Sequence, residues 1–278
     1  MKNILLFNDF SSEAERAAEL ALLLAGKTNV SLYVWDTIEQ AEQPVAAELV
    51  IAGPNEIVVE VQTDKNSWIE KLESRLHWET GFKPSVHFIE GVKFAPDNVL
   101  SVVKKCDAGL LMKGISADDE NMTHIESYVL NCSTKSGCPV LLVPKRFTAK
   151  MFEKMVYASD LRFCRREVVW FLTQLAKHLN ASVLIANISA KGLPYMDDRY
   201  ARTVFDETIL NPTNIEHIYF NNIRERDIPK ALDILVNGMN NDLMVLVNNK
   251  YHFNELVGHE MPYIIPENMG VPLLIFPS

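Results

Sequence analysis

The chain has 278 residues, 48% hydrophobic and 23% charged, which is the balance of a folded globular protein and too apolar for a long disordered tract. Its formal net charge of −9 disfavours non-specific binding to nucleic acid or to an anionic membrane surface, since both draw on basic excess. No apolar run approaches the roughly 20 residues of a bilayer-spanning helix, so a cytoplasmic protein with no membrane and no nucleic-acid partner is expected.

Met1-Lys2-Asn3-Ile4 runs into Asn8 and Asp9 too soon for a secretory leader. Ile4-Leu5-Leu6-Phe7 is a short apolar run closed by Asn8 and Asp9, which predicts a buried strand. Ser12 with Glu15 predicts a capping box. The helix it opens carries Ala14, Ala17, Ala18, Ala21, Leu22 and Ala25, and Gly26 is expected to stop it. Ser31-Leu32-Tyr33-Val34-Trp35 is the next strand, giving the strand, helix and strand of a right-handed parallel crossover.

Residues 38–62 are broken by Pro44, Gly53 and Pro54, with a short extra strand expected over 57–61. Trp68, Leu72 and Leu76 then mark a helix face. A strand over 86–89 ends at Glu90-Gly91, and Val99, Val102 and Val103 mark a short helix. The run Gly109-Leu110-Leu111-Met112 is a strand ending at Met112, residues 121–136 read as helical, and Pro139-Val140-Leu141-Leu142-Val143-Pro144 is a closing strand. Alternating strands and helices imply a doubly wound parallel sheet.

The pattern then restarts. Met155-Val156-Tyr157-Ala158-Ser159-Asp160 repeats the opening strand and its terminal Asp. A helix is expected over 162–179, a strand over 182–188, a helix over 200–210 and a strand over 215–220. A helix over 228–236 and a strand over 242–247 follow, and Pro272-Leu273-Leu274-Ile275-Phe276-Pro277 echoes 139–144. Two domains are therefore expected, 1–146 and 151–278, with the basic stretch from Lys145 to Lys150 between them.

The segment Asn8-Asp9-Phe10-Ser11 after an apolar strand, Glu90-Gly91 after the third strand, and the closing Cys138-Pro139-Val140-Leu141-Leu142-Val143-Pro144 resemble the universal stress protein family, in two copies. The resemblance implies two tandem Rossmann-like (adenine nucleotide alpha hydrolase-like) α/β domains. Each would be a five-stranded parallel sheet of order 3-2-1-4-5 flanked by helices, and the two would meet through their last strands as an intramolecular pseudo-dimer. A homodimer of that unit stays open. Many members bind ATP through G-x2-G-x9-G-[ST] after the fourth strand; others lack the motif and do not.

Glycines in such a loop let the backbone approach phosphates, whose charge the amides and a helix N-terminus then hold. Placed from Met112, the three glycine positions carry Lys113, Ser116 and Glu126, and Ser127 alone is kept. A carboxylate about 4 Å from a phosphate charge costs on the order of 4 kcal/mol at an effective dielectric near 20. Asp118, Asp119 and Glu120 make the loop more acidic still. In the second copy Val247, Lys250 and His259-Glu260 stand at or near the glycine positions. What the resemblance leaves is a residual nucleotide-type pocket of Asn8, Asp9, Val34, Met112, Lys113 and Ser127, with Asp9 and Asp160 also readable as turn or helix caps.

Cys106, Cys132, Cys138 and Cys164 form no C-x-x-C pair and read as reduced, largely buried thiols. His252 and His259, with Glu255 and Glu260, lack H-E-x-x-H spacing, and no metal or other cofactor is expected. Arg162, Arg165 and Arg166 read as a solvated face near Asp160 and Glu167, Trp68 as core, and Trp78 as partly exposed or interfacial. No nucleophile elbow and no P-loop is present. The leading expectation is a non-catalytic stress-response protein acting through an unidentified protein partner or ligand. A sensor holding a nucleoside, nucleotide or other small molecule in the first crevice comes second, and a slow nucleotide hydrolase last.

Overall fold

A computed structural model of the chain describes residues 2–37, 65–76, 82–90, 92, 94–115, 122–189, 193–210, 217–225, 227–248 and 270–278. The first half contains β1 (Asn3–Asn8), α1 (Ser12–Thr28), β2 (Leu32–Asp36), α2 (Lys65–Arg75), β3 (Val86–Ile89), α3 (Pro96–Lys105), β4 (Ala108–Ile115), α4 (Met122–Ser136) and β5 (Val140–Pro144). The second half repeats the order with β6 (Lys154–Ser159), α5 (Arg166–Leu179), β7 (Ser182–Ile188), α6 (Asp198–Phe205), β8 (Ile218–Ile223), α7 (Ile228–Asp233), β9 (Leu243–Val247) and β10 (Leu273–Phe276). A π-helical turn prolongs α6 over Asp206–Leu210, and another prolongs α7 over Ile234–Gly238. The extra strand expected over 57–61 lies outside the described residues.

The described strands form one ten-stranded sheet of order β3-β2-β1-β4-β5-β10-β9-β6-β7-β8. Each half thus has the order 3-2-1-4-5 and is parallel throughout. The halves meet edge to edge where β5 and β10 pair antiparallel, with Leu142 opposite Leu273, Leu141 opposite Leu274 and Val140 opposite Ile275. Helices cover both faces, so the strands are apolar on both sides. Ile4 and Leu6 face one apolar cluster with α1, α2, α5 and α6, while Leu5 and Phe7 face the other with α3, α4 and α7.

The local differences from the sequence reading have physical causes. Ser11, not Ser12, caps α1, its side chain accepting the Ala14 N–H at 3.1 Å. Gly26 does not stop that helix, which runs on to Thr28 and ends at Asn29 in the left-handed region with φ 54°. α5 ends the same way at Asn180, and asparagine is the non-glycine residue that best tolerates this conformation. The helix expected from 162 begins only at Arg166, after a 3₁₀ turn over Leu161–Phe163 capped by Asp160. β4 does not end at Met112 but continues to Ile115, because β5 supplies partners as far as Pro144. β8 starts at Ile218, three residues later than expected, and also ends later.

One glycine explains why the two first helices differ. A Cβ on Gly114 would fall 2.1 Å from the Glu13 carbonyl oxygen and 2.7 Å from the Ala14 nitrogen. The first turn of α1 therefore sits directly on β4. Gly114 pairs with Val143, just before Pro144; in the second half Val247 pairs with Phe276, just before Pro277. Val247 is thus the counterpart of Gly114, and Leu246 that of Lys113, which corrects the sequence placement by one residue. The same number of residues separates Asp9 from Asn29 as Asp160 from Asn180, which makes Cys164 and Arg165 the counterparts of Glu13 and Ala14. Both are extended, with ψ near 125° (126° and 125°), and the first helical turn is missing where a valine has replaced the glycine.

The linker between the halves is tied down by Asp242. Its carboxylate accepts from the backbone N–H of Glu153 and Lys154, each at 3.0 Å, and from Lys150 Nζ at 2.5 Å. Burial pushes this carboxyl up, but the Lys150 bond and the two amides outweigh burial and hold it below its ordinary value.

Two expectations follow for stability. Gly114→Ala should cost about 3 kcal/mol in urea unfolding, because backbone rather than a flexible side-chain end must move; an unchanged midpoint would show that α1 is not seated by this contact. Asp242→Asn should cost about 1 kcal/mol at pH 7. A lowered folded-state pKa stabilises above the unfolded value near 3.9, and that stabilisation is lost as pH falls through the folded value. The gap between wild type and Asp242→Asn should therefore close below about pH 4; a gap constant with pH would refute a charge-dependent tie.

Candidate functional site: the crevice at the carboxyl ends of β1 and β4

In the first half the order in which successive strands are added reverses between β1 and β4, and ligands of doubly wound sheets bind outside the carboxyl ends of the strands at such a point. Asn8 ends β1 with its side chain fully buried. Its Oδ1 accepts the Phe10 N–H at 3.1 Å, which helps hold Phe10 at φ 54°. Its carbonyl accepts the N–H and Oγ1 of Thr37 at 2.8 and 3.1 Å. Its Nδ2 donor is buried and finds no acceptor among the described residues.

Lys113 lies inside β4 between Phe7 on β1 and Leu142 on β5. It is 4% exposed, and its Nζ donates to Asp9 Oδ2. Asp9 also accepts from the Ser11 N–H at 3.1 Å and from the Ser11 hydroxyl. Burial raises the Asp9 carboxyl, but the Lys113 charge and bond, with the two from Ser11, more than cancel it, so the carboxyl stays below its ordinary value. A lone ammonium in an apolar strand costs several kcal/mol unless paired. Asp9 is what makes Lys113 tolerable there. At the same rim Lys145 Nζ lies 3.0 Å from Glu13.

The structure thus brings Asn8, Asp9 and Lys113 together at one crevice. Val34 and Met112 are 1% and 0% exposed, and both pack in the apolar cluster under α1 and α2. Ser127 falls in the first half of α4, and its side chain, like that of Glu126, lies outside the described residues. Ser116, Asp118, Asp119, Glu120, Lys250, His252, Glu255, His259 and Glu260 lie outside them too, as do Gly91 and Trp78. Sequence reasoning missed the Asp9–Lys113 pair. Its signal was the lone cation in Leu110-Leu111-Met112-Lys113-Gly114-Ile115, which demands a counter-ion near the end of a neighbouring strand.

The second half fills its own crevice differently. Asp160, fully buried, takes two side-chain bonds from Arg162, at 2.7 and 2.5 Å, and the Arg162 N–H at 3.0 Å. Asn187, also fully buried, accepts the Leu161 N–H at 2.9 Å and donates to Asn222 Oδ1 at 2.7 Å. Asn222 in turn reaches the Tyr195 hydroxyl and the Asp198 carboxylate, which Arg224 neutralises. Among the described residues no group of His, Cys, Asp or Glu could hold a metal ion, and no helix is long and apolar enough to cross a membrane. All four cysteines are free thiols, three buried and Cys164 half-buried.

Breaking the Asp9–Lys113 pair should be asymmetric. Asp9→Asn strands the more buried partner and should cost about 3 kcal/mol, Lys113→Met about half as much. The double variant should lose less than the sum; additive losses in unfolding midpoints would show that the groups do not interact.

No protein-family model matches the sequence, and no curated protein matches it. Solved structures do. A universal stress protein from Archaeoglobus fulgidus is similar over 99% of this chain and 98% of its own, at 14% identity and a TM-score of 0.59. A putative universal stress protein from Pseudomonas aeruginosa is similar over 100% and 93%, at 12% identity and a TM-score of 0.56. The cytoplasmic domain of a prokaryotic cation chloride cotransporter is similar over 99% and 94%, at 10% identity and a TM-score of 0.53. With its duplicated 3-2-1-4-5 order joined through the last strands, the chain has the tandem universal stress protein fold.

Proposed function

We propose that the chain is a non-catalytic stress-response protein of the universal stress protein type that does not take ATP in that family's manner and acts through protein contacts. The observation that carries this reading is the Asp9–Lys113 pair. The first glycine position of the nucleotide motif is held by a lysine whose charge is already spent on Asp9. A triphosphate entering there would have to compete with Asp9 for Lys113 and would then face the freed carboxylate. Arg162 on Asp160, with Asn187 and Asn222 beside it, supports the same reading for the second half. Among the described residues no side chain in either crevice is arranged as an activated nucleophile with its base, which favours binding over chemistry.

A second reading, a small-molecule sensor, is favoured by two buried donors. Asn8 Nδ2 and Trp68 Nε1 both lack an acceptor among the described residues, and Phe10 links them through its N–H on Asn8 and a ring contact with Trp68 at 5.3 Å. Orphaned buried donors cost about 1–3 kcal/mol each, so a neutral ligand offering acceptor oxygens would recover that cost.

Calorimetric titration with ATP and Mg²⁺ should give no binding heat up to millimolar nucleotide. Low-micromolar binding would overturn the first reading. Native mass spectrometry of the gently purified protein addresses the second: a co-purified adduct that disappears in Asn8→Leu supports the sensor, and a bare mass with no thermal shift across a nucleoside panel refutes it.

A further inference from the structure

The two halves differ most along their shared seam. α1 carries Ala14, Ala17, Ala18 and Ala21 and lies close against β1, β4 and β5. The matching residues are Arg165, just before α5, and Val168, Val169 and Leu172 within it; the first turn is unwound, and the helix packs on α1 and on β7. Bulkier residues facing the sheet hold a helix further from it. What remains between α5, the carboxyl end of β10 and the amino ends of β4 and β5 is a cleft of about 540 Å³. That volume lies in the range of sites for small organic ligands.

The chemistry of the cleft is specific. Phe171 and Phe276 meet edge to face in its wall, with ring centroids 5.2 Å apart and planes at 82°. Trp170 lines the same cleft and leaves 60% of its surface in solvent, an apolar exposure that none of the described residues covers. Pro139 with Gly109 and Gly137 forms the opposite side, where the Lys2 side chain lies over Gly109 and its Nζ is paired with Asp107 at 2.7 Å. Arg165 stands at the margin. One of its amino groups is fixed by the Pro277 carbonyl at 2.6 Å, and its Nε lies 3.9 Å from the carboxylate of Glu167, itself 79% exposed. The anchored guanidinium keeps further donors for an incoming anion, and an exposed carboxylate at that distance neutralises it poorly.

We propose that this cleft binds a flat aromatic molecule bearing one anionic group, the rings against Trp170, Phe171 and Phe276 and the anion on Arg165. The site is separate from the Asp9–Lys113 crevice, so it stands or falls independently of the function proposed above. It arises from the asymmetry of the duplication, because only the second half has lifted its first helix.

The probe is 8-anilinonaphthalene-1-sulfonate, titrated by fluorescence with stoichiometry from equilibrium dialysis. One saturable site per chain is expected. Trp170→Ala and Arg165→Gln should each weaken it about tenfold. Lys113→Met should leave it unchanged. The sulfonate-free N-phenyl-1-naphthylamine should bind wild type and Arg165→Gln alike. Near-ultraviolet circular dichroism and unfolding midpoints must show each variant folded; for a variant that is not, Gln174→Trp, which narrows the cleft from an α5 position lining it, serves instead and should block binding. Absence of a saturable site, wild-type affinity in both Trp170→Ala and Arg165→Gln, or loss of binding in Lys113→Met would each overturn the proposal.

Discussion

The antiparallel pairing of β5 with β10 is the contact on which the rest of the molecule depends. Parallel sheets are buried on both faces, and an open β5 edge would expose a row of unpaired amides next to uncovered apolar side chains. Pairing the two edges removes both liabilities. It also makes each apolar cluster continuous: Leu141 and Val143 share one with Tyr157 and Leu274, and Leu142 shares the other with Val156 and Leu273. The seam is short because prolines bound it. Pro139 and Pro144 frame β5, and Pro272 and Pro277 frame β10, and a proline cannot donate to a ladder. A short seam between two apolar cores gains its strength from side-chain burial more than from its few hydrogen bonds.

Much of this was legible in the sequence, and the reason is that burial on both faces leaves an unmistakable trace. Runs such as Leu141-Leu142-Val143 and Leu274-Ile275-Phe276 between prolines can only be core strands. Duplication doubled that signal. What was not legible depends on contacts across long sequence distances. Met112 looked like a strand end because Lys113 and Gly114 break the apolar run, but register with Leu142 and Val143 carries the strand through both. The helix expected from 162 looked continuous because nothing local forbids it; what goes with the loss of its first turn is a valine on β9, far along the chain.

The candidate site was legible only in part, for the same reason. Asn8 and Asp9 were found from their place after a strand, and Lys113 from motif spacing. Their relation was not found, because an ion pair between residues 9 and 113 has no local signature. Val34 and Met112 came from resemblance alone, and their burial in the cluster under α1 reflects the period-two alternation of β2 and β4. The neighbouring Lys113 faces the other way for that same reason, and this is what lets it reach Asp9.

The two halves answer one electrostatic problem by different routes. Each ends its first strand with an aspartate at the sheet's switch point, where a doubly wound fold offers amides and helix ends to an anion. A carboxylate left there must be neutralised or hydrated. The first half takes its cation from β4, across the crevice. The second takes it from Arg162, two residues beyond Asp160, and so frees β9 to carry Leu246 and Val247 in an apolar strand. Val247 accompanies the unwound first turn of α5, and the unwound turn is what places Arg162 to fold back on Asp160. One small-to-large difference on a strand is therefore coupled to the start of a helix, the pairing of an ion and the opening of a cleft at the seam.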